Sequence, residues 1–132
     1  MPSEPAFRFL SLDDVLGIHA HQLHTYGGEW GLRDRGLLIS ALAQPSARFG
    51  GTYLHAGPPE MAAAYLYHIV NNHPFIDGNK RTGLASALVF LDVNGHDVDR
   101  YSKGLYELVM VTASGELDKD ALSQWFINRS CG

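Results

Sequence analysis

Apolar residues Leu12, Val15, Leu16, Leu23 and Tyr26 recur near a 3.6-residue period behind Ser11, and Asp14 stands where it completes a capping box. This predicts a first helix that ends at Gly27-Gly28. Asp34 is placed to cap a second, short helix through Leu37, Leu38 and Leu42, which Pro45 prevents from running much further. The stretch from Phe49 to Pro59 mixes glycines, prolines and aromatics and reads as a loop or short hairpin. From Pro59 the run Glu60 to Val70 has strong helical propensity, and it must stop near Asn72 because Pro74 disfavours a helical His73. Lys80 to Val93 predicts another apolar helix, with Leu84, Ala87, Leu88, Phe90 and Leu91 and an Asn94-Gly95 end. Two more helices, about Ser102 to Ala113 and Leu117 to Asn128, are divided by Ser114-Gly115; Met110 and Trp125 sit at core spacing within them. No alternating strand pattern of useful length and no internal repeat is present. The expected architecture is an all-α bundle of about six helices, with a short flap or hairpin before the central ones.

Composition narrows the class. The chain has 132 residues, 45% of them hydrophobic, the size of one ordinary domain with one core. Ten Lys and Arg face 14 Asp and Glu, a formal charge of -4 that argues against a surface evolved to coat nucleic acid. Cys131 is the only cysteine, so no internal disulfide forms, and a reducing compartment fits. Met1-Pro2-Ser3-Glu4-Pro5 lacks the basic and apolar regions of a signal peptide, and no apolar run spans a bilayer. A cytoplasmic location is expected.

The chemistry concentrates in His73-Pro74-Phe75-Ile76-Asp77-Gly78-Asn79-Lys80-Arg81-Thr82. One helix ends, a short loop follows, and a new helix opens at Gly78-Asn79. A helix start carries unpaired N–H groups and positive dipole charge, and a glycine there lets phosphate come close. Lys80 and Arg81 add two cations, Arg81 with a planar fork suited to phosphate oxygens. Asp77 is an oxygen donor of the kind that holds Mg2+. His73 can take a proton from an attacking hydroxyl. The same residues also fit a plain connector with solvated charges, and spacing alone leaves both readings open.

The segment resembles the signature H-x-F-x-[D/E]-[A/G]-N-[G/K]-R of the Fic/Doc superfamily at every defined position: His73, Phe75, Asp77, Gly78, Asn79, Lys80 and Arg81. Tyr26-Gly27-Gly28, Gly31-Leu32-Arg33-Asp34, Gly36-Leu37-Leu38 and the Leu88-Phe90-Leu91-Asn94-Gly95 positions are similar to its death-on-curing branch. The resemblance covers most of the chain and implies one Fic/Doc-like domain over 1–132. It implies His73 as general base, Asp77 as Mg2+ ligand, Gly78 and Asn79 as a backbone phosphate cradle, Lys80 and Arg81 as triphosphate ligands, and Phe75 as a core anchor. AMP-transferring members carry glycine after the asparagine and a second arginine three residues past the first. Lys80 and Leu84 stand there instead, which implies gamma-phosphate transfer from ATP to a Ser or Thr hydroxyl, with AMP transfer as the alternative. A toxin with an antitoxin in its target groove and elongation factor Tu as substrate follows from the same resemblance. A non-catalytic nucleotide- or peptide-binding module is the alternative from another class. No Ser-or-Thr-x-x-x-Glu inhibitory helix is evident, so restraint is expected in trans.

His19, His21 and His24 are read as solvated or partly buried rather than as a metal site, because residues two apart on a helix do not share a face. His68 is read as a packing or surface residue, and Tyr65, Leu66 and Tyr67 as core and groove residues without chemistry. Tyr53 and Leu54 fit either a flap that aligns an extended target segment by backbone pairing or an ordinary loop.

Overall fold

The two helix starts that the sequence marks with a capping side chain are made by those side chains. The Ser11 hydroxyl accepts from the Asp14 N–H at 3.1 Å while the Asp14 carboxylate accepts from the Ser11 N–H at 2.8 Å. Asp34 Oδ1 likewise accepts from the Leu37 N–H at 3.0 Å. The computed structural model describes residues 6–110 and 117–130. Its elements are α1 (Leu12–Tyr26), α2 (Arg35–Ala43), β1 (Arg48–Phe49), β2 (Thr52–Tyr53), α3 (Pro58–Asn72), α4 (Asn79–Val93), α5 (Asp99–Ser102), α6 (Leu105–Met110) and α7 (Lys119–Ser130). As the apolar pattern predicts, helices dominate, and the one small sheet among the described residues is the antiparallel β1–β2 hairpin turned by Gly50-Gly51.

The centre of the bundle is α3, whose run from Met61 to Leu66 is 0% exposed. A helix apolar all round must be wrapped by others, and α3 packs against α2, α4 and α7. Alanines at 62, 63 and 64 and Gly83 of α4 keep the axes close; a side chain at 83 would press on Val70 and on Leu66. Tyr65, Phe75, Phe90, Tyr101 and Phe126 are fully buried around this axis, and each such side chain contributes roughly 2–3 kcal/mol of apolar burial.

Two expected elements differ. The helix expected from about Ser102 to Ala113 starts instead at Leu105, as α6, and a short helix that was not expected, α5, precedes it across Lys103-Gly104, giving seven helices among the described residues. The two helices serve different neighbours: α5 packs on α7, with Tyr101 stacked 5.9 Å from Phe126, and α6 packs on α4. The last helix starts two residues later than expected because Asp118, not the preceding leucine, caps it, accepting from the Ala121 N–H at 3.1 Å. The Ser114-Gly115 break, the first five residues and Cys131 lie outside the described residues.

Residues 27–34, between α1 and α2, lie against residues 73–78, between α3 and α4. The Ile76 N–H donates to the Gly31 carbonyl at 3.0 Å, and the N–H groups of Arg33 and Asp34 donate to the Pro74 carbonyl at 2.7 and 2.9 Å. This backbone pairing joins two helical hairpins at the signature segment. Among the described residues no helix is long and apolar enough to cross a membrane.

Candidate active site

His73 closes α3 in a left-handed conformation, φ 50° and ψ 54°, the one positive φ outside glycine among the described residues. Pro74 disfavours the right-handed helical alternative, and the left-handed backbone costs a non-glycine residue roughly 1–2 kcal/mol. Arg33 supports it: its Nε donates to the His73 carbonyl at 2.6 Å and a terminal nitrogen to the Asn72 carbonyl at 2.9 Å. The last carbonyls of α3, which the helix leaves unpaired, thereby gain a charged partner. The His73 side chain is exposed.

The loop is bolted to the bundle from inside. Phe75 is 1% exposed and lies flat on His19, ring centres 3.8 Å apart at 6°. Asn79, the first residue of α4, is turned inward: its Oδ1 accepts from the Phe75 N–H and its Nδ2 donates to the Phe75 carbonyl, both at 2.9 Å. Its side chain therefore braces the loop, and only its backbone faces the helix start. His19 Nε2 donates to the Asp77 carbonyl at 2.9 Å, the direction a carbonyl partner requires.

The Asp77 carboxylate is exposed and oriented by two backbone donors, the Glu29 N–H to Oδ2 at 3.0 Å and the Gly78 N–H to Oδ1 at 2.8 Å. These two bonds, with smaller help from the nearby His19 and His73 rings, hold its pKa below the ordinary carboxylate value. Two glycines make the arrangement possible. Gly28, at φ 128°, lets the backbone pass where a Cβ would stand 2.9 Å from Asp77 Oδ2. Gly78, at φ 79°, turns the chain into α4. An ionised, exposed carboxylate with one N–H on each oxygen keeps lone pairs for a hard cation, so its chemistry fits Mg2+.

The first hydrogen bond within α4 runs from the Thr82 N–H to the Gly78 carbonyl at 2.9 Å, so Asn79, Lys80 and Arg81 form the turn that presents N–H groups and positive dipole charge outward. Lys80 is half-buried there. Arg81 has its guanidinium 4.0 Å over the Tyr26 ring and donates to the Tyr106 hydroxyl at 3.1 Å. A charged helix start of this make-up fits an oligophosphate. Leu84, one turn further, packs on the core and offers no second cation.

The other residues singled out in the sequence lie apart from this loop. Tyr53 is half-buried on Phe7 and Phe9, with Arg48 stacked at 4.0 Å, so its ring serves the fold, while Leu54 is 61% exposed. His68 is half-buried and its Nε2 accepts from Lys119 at 3.0 Å. Burial first, then the charge of Lys119 and His55, push its pKa down to about 4. His21 and His24 are exposed, unlike His19. A cleft of about 530 Å3 is lined by Arg8, Phe9, Leu10, Asp14, Ile18, Val89 and Val93. It lies at the opposite end of α4 from His73 and Asp77, so the chemistry of the loop outweighs the size of the cleft in placing the site.

Sequence reasoning missed Arg33, His19 and Glu29 as supports. His19 carried a signal: it shares the stripe of Val15 and Leu23, and a histidine on a buried stripe needs a polar partner. Glu29 contributes only a backbone N–H, which no residue type reveals.

The family model described as Fic/DOC family matches residues 9–91. Over 121 residues the chain is 38% identical to "Toxin Doc" of Mycolicibacterium smegmatis, covering 87% of this chain and 88% of that protein. It is 32% identical over 116 residues to "Protein kinase doc" of Escherichia phage P1, covering 88% and 90% respectively. The matched span contains both backbone-paired loops and the whole segment from His73 to Thr82, and the chain belongs to the Fic/DOC family.

Proposed function

We propose that this protein is the toxin of a toxin–antitoxin pair that transfers the gamma phosphate of ATP to a Ser or Thr hydroxyl of a protein, with elongation factor Tu as the target and translation as the process stopped. The observation that carries this reading is the loop itself: an exposed histidine and an ionised, doubly hydrogen-bonded aspartate flank a rigid turn that ends at a cationic helix start. The names of two relatives, one a toxin and one a protein kinase, point the same way.

In this reading a ring nitrogen of His73 takes the hydroxyl proton as the hydroxyl oxygen bonds to the gamma phosphorus and the bond to the departing ADP breaks. The α4 start and the cations Lys80 and Arg81 bind and orient the phosphates, and most of the rate comes from that positioning and charge. Mg2+, held by Asp77, would offset phosphate charge during transfer. Leu84, where AMP-transferring relatives place a second arginine, favours phosphoryl over nucleotidyl transfer. An antitoxin segment lying over the target groove restrains the site in trans.

The test is the intact mass of purified elongation factor Tu after incubation with the protein, ATP and Mg2+, beside a His73→Ala control. A gain of about 80 Da that the control lacks supports the proposal; about 329 Da means AMP transfer. An unchanged mass would sink the assigned target, and a His73→Ala protein that still arrests growth would point to a non-catalytic binder.

A further inference from the structure

Arg81 is held by two residues from distant parts of the chain. Its guanidinium carbon stands 4.0 Å over the ring of Tyr26, the last residue of α1, and 5.4 Å from the ring centre of Tyr106 on α6. One terminal nitrogen also donates to the Tyr106 hydroxyl at 3.1 Å. Neither tyrosine is a core residue: Tyr26 is 59% exposed and Tyr106 45%. Large rings left this open contribute little to packing, yet both meet at the same cation.

The geometry has a direction. Stacking occupies the face of a guanidinium, whereas its N–H groups lie in its plane. The Tyr26 ring therefore fixes the plane without using a donor, and the Tyr106 hydroxyl fixes the rotation by using one edge. The remaining edge is left for an anion at the α4 start, and the rotamer freedom of a long side chain is lost before the anion arrives.

We infer that Tyr26 and Tyr106 are positioning residues that clamp Arg81 in its phosphate-binding orientation, so that the ends of α1 and α6 complete a site otherwise built on one loop. This rests on the reading of the α4 start as a triphosphate site.

The experiment is calorimetric titration of the full chain, in Mg2+, with ATP and with inorganic tripolyphosphate. Wild type is compared with Tyr26→Leu, Tyr26→Phe, Tyr106→Phe, Arg81→Ala and the double variants with Arg81→Ala. Tyr26→Leu and Tyr106→Phe each weaken both probes about 3- to 10-fold with thermal midpoints unchanged. Tyr26→Phe recovers what Tyr26→Leu loses. In the Arg81→Ala background neither tyrosine change has a further effect, which a purely structural role would not produce. The inference is overturned if the tyrosine variants bind both probes as wild type does while Arg81→Ala weakens them, or if their losses persist without Arg81. Tripolyphosphate binding that depends on Arg81 and both tyrosines, with no ATP binding, keeps the clamp and removes the nucleotide reading. Binding of neither probe by wild type overturns both.

Discussion

Arg33 Nε lies 2.6 Å from the main-chain oxygen of His73, so a residue 40 positions away fixes the backbone of the proposed general base. Removing it frees a left-handed residue to relax. Arg33→Ala is expected to lower phosphotransfer about 10- to 100-fold, the scale of an ångström-sized misplacement of a catalytic group. Stability falls by only about 1–2 kcal/mol, since the pair is exposed. Arg33→Lys recovers little, because an ammonium does not reproduce a fork that spans two carbonyls. Steady-state rates beside urea unfolding separate the two effects.

Asn79 is the reverse case, a signature residue whose side chain is structural. Asn79→Ala leaves the buried N–H and carbonyl of Phe75 without partners and is expected to cost about 2–4 kcal/mol. Asn79→Asp keeps the acceptor but loses the donor and sets a carboxylate against a carbonyl, so it rescues none of the loss. Urea midpoints of the three proteins decide this; an Asn79→Ala midpoint equal to wild type would contradict it.

His19 joins α1 to the Asp77 backbone. His19→Phe preserves the stack on Phe75 and removes the donor to the Asp77 carbonyl, a loss of about 1 kcal/mol in stability. Its sharper expected effect is a several-fold weaker Mg2+ dependence of ATP binding, because Asp77 loses one of its constraints. His19→Gln retains a donor and gives the smaller change in Mg2+ dependence. Calorimetry across a Mg2+ series reads the difference.

His68 makes the stability depend on pH in a stated direction. Its pKa drops from 6.5 to about 4 on folding, because burial and the nearby Lys119 and His55 disfavour the charged ring. Burial likewise lowers His55. Between pH 6.5 and 4 the unfolded chain therefore binds more protons, and stability is lost as pH falls through that window. Below about pH 4 this group takes no more. The slope from His68 is at most about 1.4 kcal/mol per pH unit and smaller in practice, since the ring is only half-buried. Thermal midpoints from pH 7 to 4.5 should fall for wild type and flatten in His68→Asn; parallel curves would exclude the assignment.

Local chemistry made much of this protein readable from its sequence. Ser11 with Asp14, and Asp34, act on residues three positions away, so α1 and α2 start where the chain says they do. Pro74 ends α3 at its own neighbour. His73, Asp77, Lys80 and Arg81 fall within one short segment, so their chemistry could be read together. The tertiary structure decided what depends on distant partners. It added α5 ahead of α6 and set the two against different neighbours, α7 and α4, turned Asn79 inward onto Phe75, and brought Arg33, His19, Glu29 and Tyr106 to the segment from 40, 58, 48 and 25 positions away. Helix caps and proline stops are short-range interactions written in adjacent residues, whereas the groups that orient a site are chosen by packing, which no single stretch of sequence contains.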